Sequence, residues 1–200
     1  MAASLRQDRG QTLPMYVVVV GGLLFLAFAY FAFAQGAAAR NGGQSAADAA
    51  ALAAAQEVRD ELTDGFIAAL GSPVELADWL RGEGPVGDGA TAAAQLASEN
   101  DSDLLGISPT LVGGHPAFTA EIETNYTAGD SVIPGTENMH AKANATAVIE
   151  PRCEITPGSN PLKLVEIDCE DGMRWKIDPK DIVEADLPYP KDLFSVHLAE

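Results

Sequence analysis

Hydrophobic and polar positions follow a different rule in each part of this chain. From Leu13 to Ala34 there is no alternation: the 22 residues "LPMYVVVVGGLLFLAFAYFAFA" are uncharged, and no charged residue lies between Arg9 and Arg40. As an α-helix the run is roughly 33 Å long, close to one hydrocarbon thickness. Leu, Phe, Val, Ala and Gly fall on every side of the helical wheel, which leaves no polar face for solvent. The pattern predicts a transmembrane helix over residues 13–34 behind a polar leader, residues 1–12. Thr12 is its cap, and Pro14 sits in the first turn, where a missing N–H costs little.

Residues 35–71 change to Ala with interspersed Gln, Asp, Glu and Arg, and Leu52, Val58, Leu62, Phe66 and Leu70 form an imperfect helical stripe. A membrane-proximal Ala-rich helix is expected. "RNGG" at residues 40–43 should kink or loosen it, because adjacent glycines cost roughly 1 kcal/mol each against Ala.

Beyond residue 71 the signals are punctuated. "SPVELADWLRGEG" predicts a short helix opened by Ser72 and Pro73 and stopped by Gly82, and "DGATAAAQLASEND" predicts another. The period then becomes two. Phe118, Ala120, Ile122, Thr124 and Tyr126 share one face of a strand, and Met139, Ala141, Ala143, Ala145, Ala147 and Ile149 share one face of a second. "LKLVEIDCE" and "MRWKID" complete an expected four-stranded antiparallel sheet, with "TPGSNP" and "DG" as turns. The fold class is α+β: a transmembrane helix, extended by the Ala-rich helix, then a small antiparallel-sheet ectodomain over residues 72–200, its sheet packed on the membrane-proximal helix.

Charge sets the orientation. Arg6 and Arg9 precede the span, whereas the chain after residue 40 carries nine Lys and Arg against 28 Asp and Glu. The positive-inside rule places the N-terminus in the cytoplasm and the C-terminal domain outside, a single-pass plasma-membrane topology. A net charge of −17 and a pI near 4.3 argue against nucleic acid as a partner. A cleaved signal peptide is the competing reading, because Arg6 and Arg9 form a basic leader and "AFA" at residues 32–34 fits cleavage between Ala34 and Gln35. The run exceeds an ordinary signal core of about 7–15 residues, and cutting there would sever a nearly continuous helix.

Cys153 and Cys169 both fall in the exported part, each at the end of an expected strand with "EITPGSNPLK" as the hairpin tip, so a structural disulfide is expected. Zinc is the alternative reading, but no Cys-x-x-Cys or nearby His accompanies them.

Chemistry-bearing motifs are sparse. His115, His140 and His197 are scattered, without a nucleophile elbow, a zinc-protease helix or a phosphate loop. "ENDSDLLG" offers Asp101 and Asp103 to calcium, but Leu105 stands where a third oxygen ligand belongs, so a solvated loop is the plainer reading. Trp79 and Trp175 are read as packing residues. Neither metal, cofactor nor catalytic residues are expected. Within the span, Gly21, Gly22, Ala27 and Ala29 are candidates for packing against other helices in a homo- or hetero-oligomer, the alternative being ordinary bilayer-helix composition.

The segment "RGQTLPMYVVVVGGLLFLAFAYFAFAQ" followed by "RNGGQSAADAAALAAA" resembles the TadE/TadG-like pilus-assembly proteins of actinobacteria, densely over residues 8–57, and "HAKANATAVIEPRC" is similar to that family's later strand segment. The resemblance implies a pseudopilin or minor-pilin component of a Flp-type (tight-adherence) pilus or secretion system, a structural protein whose partners are the bilayer and other assembly components. It also implies a leader-peptidase site between Gly10 and Gln11. Pilins of this type place Glu five residues after the cut, where it neutralises a neighbour's terminal amine; here Met15, followed by Tyr16, cannot. That departure points to an accessory component. The alternative function is a membrane-tethered binding or adhesion domain unrelated to a filament.

Overall fold

One helix, α1 (Thr12–Ala68, 57 residues), runs without interruption through the apolar segment and the Ala-rich segment. The structure, a computed structural model, describes residues 12–127 and 138–199. Continuity of α1 corrects the joint expected at residues 40–43. The glycines there are contact points: a Cβ on Gly43 would lie 3.3 Å from Thr124 Cγ2 and 3.4 Å from Ala141 Cβ, and one on Gly42 would collide with the Tyr126 hydroxyl. What they lose in helix propensity is offset by the close approach of a sheet.

The second half of α1 is the core of the folded domain. Ala46, Ala47, Ala50, Ala51, Ala54 and Ala55 are fully buried along with Val58, Leu62 and Phe66, while Leu52 and Leu70 are only partly covered. Alanines are buried on two flanks because α1 lies between a sheet on one side and α3 (Ala90–Glu99) on the other, where Ala93 and Ala97 face it. Small side chains on both helices let their axes approach closely. Gly89 opens α3 at φ +66°, and a Cβ there would stand 2.4 Å from the Ala54 carbonyl oxygen. Two α1 carboxylates serve the same junction: Glu57 Oε2 accepts the Ala92 N–H at 3.1 Å, and Glu61 Oε2 accepts the Gly87 N–H at 2.7 Å. The first of these satisfies a donor that the start of a helix leaves unpaired.

Between α1 and α3, helix α2 (Pro73–Leu80) begins after Ser72 with Pro73 in its first turn and ends before Gly82 at φ +76°, as its sequence predicts. The ring of Trp79 fills the space a Cβ would take on Gly65 or Gly84, so this tryptophan is a packing residue.

The strands are β1 (Ser102–Val112), β2 (His115–Thr127), β3 (His140–Pro151), β4 (Cys153–Ile155), β5 (Val165–Cys169) and β6 (Arg174–Ile177). A short helix α4 (Pro190–Leu193) then leads into β7 (Phe194–Leu198). The antiparallel α+β arrangement is the one expected, but the strands belong to two sheets: β1-β2-β3-β7 and β4-β5-β6. This corrects the single four-stranded sheet. β7 takes the edge of β3, pairing Ile149 with Val196 and Pro151 with Phe194, so β5 cannot pair there. Pro151 closes β3, and the Arg152 N–H turns aside to the Leu193 carbonyl at 2.8 Å. Cys153 therefore opens β4 instead of ending β3.

β2 shows the expected alternation, with Phe118, Ala120, Ile122 and Thr124 buried against α1. On the opposite face Thr119 and Thr146 oppose each other with hydroxyls 2.7 Å apart, and Lys142 reaches Glu123 at 3.6 Å. Among the described residues, Val58, Leu62 and Phe66 of α1 share one core cluster with Ala120 and Ile122 of β2 and Ala147 and Ile149 of β3.

Candidate functional site: the apolar half of α1 and its seat on the sheet

Residues 13–34 of α1 carry their large apolar side chains outward, Phe25 at 71% exposure and Phe33 at 77% among them, and none of this stretch packs into the folded domain. Among the described residues, one helix is by length and composition able to cross a membrane. Water would have to hydrate a sleeve of Val, Leu and Phe about 33 Å long, a far larger apolar patch than soluble monomers leave uncovered.

At about 100° per residue, Gly21, Gly22 and Ala29 fall within one arc of roughly 100°, and Gly36, Ala39 and Gly43 continue that arc toward the sheet. Ala27 stands more than about 100° away, on another side. Nothing lies within 4 Å of a Cβ built on Gly21 or Gly22. The structure therefore groups three of the four candidate helix-packing residues and separates the fourth. Gly10 and Gln11 lie outside the described residues.

Where α1 leaves the apolar stretch it is clamped by the end of the β2–β3 pair. Buried Thr124 organises this end: its Oγ1–H donates to the Tyr126 carbonyl at 2.8 Å and its Oγ1 accepts the Ala141 N–H at 3.0 Å. Its carbonyl accepts from His140 Nδ1 at 2.6 Å, so that nitrogen carries the ring proton. These bonds replace ladder bonds lost where the register shifts between Glu123 and Thr127. Gln44 Nε2 adds a bond to the Asn144 carbonyl at 3.2 Å and one to Asp48 Oδ1 at 2.8 Å.

At the far side of the domain Cys153 and Cys169 face each other across β4 and β5, with their sulfurs 1.95 Å apart, as expected for a disulfide. An open depression of about 380 Å³ beside them is lined by Arg152, Glu154, Asp168 and Glu170. The Asp168 carboxyl is held below the usual carboxylate range, chiefly by its hydrogen bond from Arg174 and then by the Thr156 hydroxyl at 2.8 Å.

Other candidates are dispersed. Asp101, at φ +50°, turns the chain out of α3, and Asp103 lies in β1 opposite Glu123. The segment read as a solvated or calcium-binding loop is thus a turn followed by an edge strand. His115, His140 and His197 belong to three different strands. Among the described residues no cluster of three or more His, Cys, Asp or Glu side chains is placed to hold a metal ion. Sequence reasoning missed the Gly42–Tyr126 and Gly43–Thr124 contacts; their signal was the run of small residues at 141, 143 and 145 in a neighbouring strand pattern. No family model matches the chain, and no curated protein or solved structure is found to be similar to it.

Proposed function

We propose that this protein is a structural component of a membrane-embedded assembly, a pilin-like pseudopilin or minor pilin of a Flp/Tad-type pilus or secretion system, without a catalytic role. The observation that carries this reading is the unbroken α1, exposed and apolar over residues 13–34 and buried in the domain core over its second half. A tether needs only a span. A span that is also the core helix of the domain passes any packing made inside the bilayer directly to the domain outside it. The arc of Gly21, Gly22 and Ala29 offers a surface for close approach of a neighbouring helix, and the resemblance over residues 8–57 supplies the class of assembly. Arg6 and Arg9 before the span, with the acidic chain after it, favour a cytoplasmic N-terminus and an extracytoplasmic domain.

Exchanging residues 13–34 for an unrelated Leu-rich span of equal length tests the proposal. Loss of co-purification with pilus-assembly or secretion components, in protein that still inserts and folds, supports it. Unchanged co-purification sinks it and favours the tethered binding domain, in which the acidic ectodomain alone makes the contacts.

A further inference from the structure

β1 has β2 on one side and no strand on the other, which makes it the longest open sheet edge among the described residues. The β1–β2 turn fixes which of its groups face outward. Gly113 and Gly114, at φ +61° and +92°, form a tight hairpin loop of the kind that makes the flanking residues, Val112 and His115, a hydrogen-bonded pair. Alternation then turns Thr110 and Ser108 toward Ala117 and Thr119, and leaves Ile107, Pro109 and Leu111 with their main-chain groups on the open side. Pro109 agrees, because a residue without an N–H belongs on that side. So does the far edge of the sheet: the Ala199 N–H donates to the Thr146 carbonyl, so Thr146 faces β7 and its partner Thr119 faces β1. Among the described residues no hydrogen bond reaches the open-side groups, which are the N–H and C=O of Ile107 and Leu111 and the C=O of Pro109.

Side chains along this edge divide by face. Leu111, Pro109 and Ile107 pair with Pro116, Phe118 and Ala120 on the side where α1 packs, and Leu111 is 70% exposed. Ser108 and Thr110 lie on the other face, opposite Thr119 and Ala117. A bulge at Leu105 ends this regular stretch, and beyond it Asp103 stands directly opposite Glu123, two like charges in adjacent strands. α3, β1 and β2 contain no Lys or Arg. Lys142 of β3 reaches Glu123, and among the described residues no ion pair reaches Asp101 or Asp103.

We infer that β1 is a docking edge for an extended segment of another protein, one that adds antiparallel to residues 106–112 with apolar and hydroxyl side chains alternating and with Lys or Arg following at its C-terminal end. Antiparallel addition continues the pairing of the sheet and brings that basic end to Asp103, at the start of β1. Apolar side chains of the segment would then lie beside Ile107, Pro109 and Leu111, and its hydroxyls beside Ser108 and Thr110. A second copy of this chain is the poorer occupant: two such edges bring Asp103 and Pro109 twice, and each copy carries a net charge of −17. The contact lies outside residues 13–34 and stands apart from the reading of the span, which the span exchange tests without touching β1.

The probe is a labelled peptide that alternates valine and threonine and ends in a pair of lysines, titrated into the full chain in uncharged detergent micelles and followed by fluorescence anisotropy. Saturable binding is expected, weaker by about fivefold or more in Leu111→Pro, which removes an open-side N–H that the β1–β2 ladder does not use. Circular dichroism melts check that this variant folds. Asp103→Lys gives a second reading: it should shift preference to the same peptide ending in a pair of glutamates, and added salt should weaken both preferences. N-methylation of the peptide along its bonding edge should abolish binding. Absence of saturable binding to the parent overturns the inference, as does binding that is indifferent to Leu111→Pro in folded protein or to Asp103→Lys. A dimer of the full chain that Leu111→Pro dissolves, without peptide binding, gives the edge to a second copy and overturns it equally.

Discussion

The hydroxyl of Tyr126 occupies the space where a side chain on Gly42 would begin, 2.0 Å from the Cβ an alanine would carry. Gly42→Ala gains about 1 kcal/mol of helix propensity but must displace that ring. In a Tyr126→Ala background the same change should stabilise by about 1 kcal/mol, and in the parent it should be neutral or destabilising. Denaturant melts of the four proteins measure the difference; equal effects in both backgrounds would mean the contact is absent.

Gly89 makes a harder demand, because what it meets is the backbone of α1 at Ala54 and its own φ is +66°. Gly89→Ala should cost about 3 kcal/mol or more, from left-handed strain together with the separation of α3 from α1. Gly114, at φ +92° with open space around it, gives the comparison: Ala there should cost about 1–2 kcal/mol, from strain alone.

An arginine in the middle of the apolar run should oppose insertion by about 2.5–3.5 kcal/mol. Leu24→Arg is therefore expected to lower the fraction of chain that resists carbonate extraction. Phe33→Arg, near the run's end, should have little effect because its side chain can reach the interface. Equal extraction of both variants and the parent would contradict a span centred near Leu24.

Replacing Cys153 and Cys169 together by Ser should destabilise the domain by about 2–5 kcal/mol. The parent protein, unreduced, should take up no thiol reagent after denaturation. Two reactive thiols under those conditions would refute the bridge.

Asp168 predicts a pH dependence. Its folded-state pKa is depressed by Arg174 and Thr156, so its contribution is present above the unfolded carboxylate pKa of about 3.9 and is lost as pH falls through the lower folded value. Asp168→Asn should be less stable than the parent at neutral pH, by a small amount because the pair is exposed, and the gap should close in acid. A gap that stays constant from neutral pH down to the acid limb would contradict the assignment.

Some of this structure was legible in the residues, for reasons that differ by element. Uniform apolarity over 13–34 needs no partner to interpret, and neither do Ser72-Pro73 at the start of α2 or the alternation from Phe118 to Thr124, since each pattern is local. β1 was not legible. An edge strand covered on few sides shows no clean alternation, and Leu105, Pro109 and Leu111 are all exposed in it. β7 is five residues long and is held in place by pairing with β3, about 45 residues earlier in the chain. Gly42 and Gly43 misled for a more general reason: propensity prices a glycine against the isolated helix, whereas here its value lies in the Tyr126 and Thr124 side chains that its missing Cβ admits. At the candidate site, the extent of the apolar run could be read from the residues, but the clamp built around Thr124 depends on strand register.

A 57-residue helix is about 86 Å of stiff rod, and the absence of a break at residues 40–43 turns it into a transmission shaft. On the proposed topology, torque on the sheet would swivel Gly21 and Gly22 about the bilayer normal by the same angle, and a sideways load on the domain would arrive below as leverage on the lipids. A hinged stalk would dissipate both.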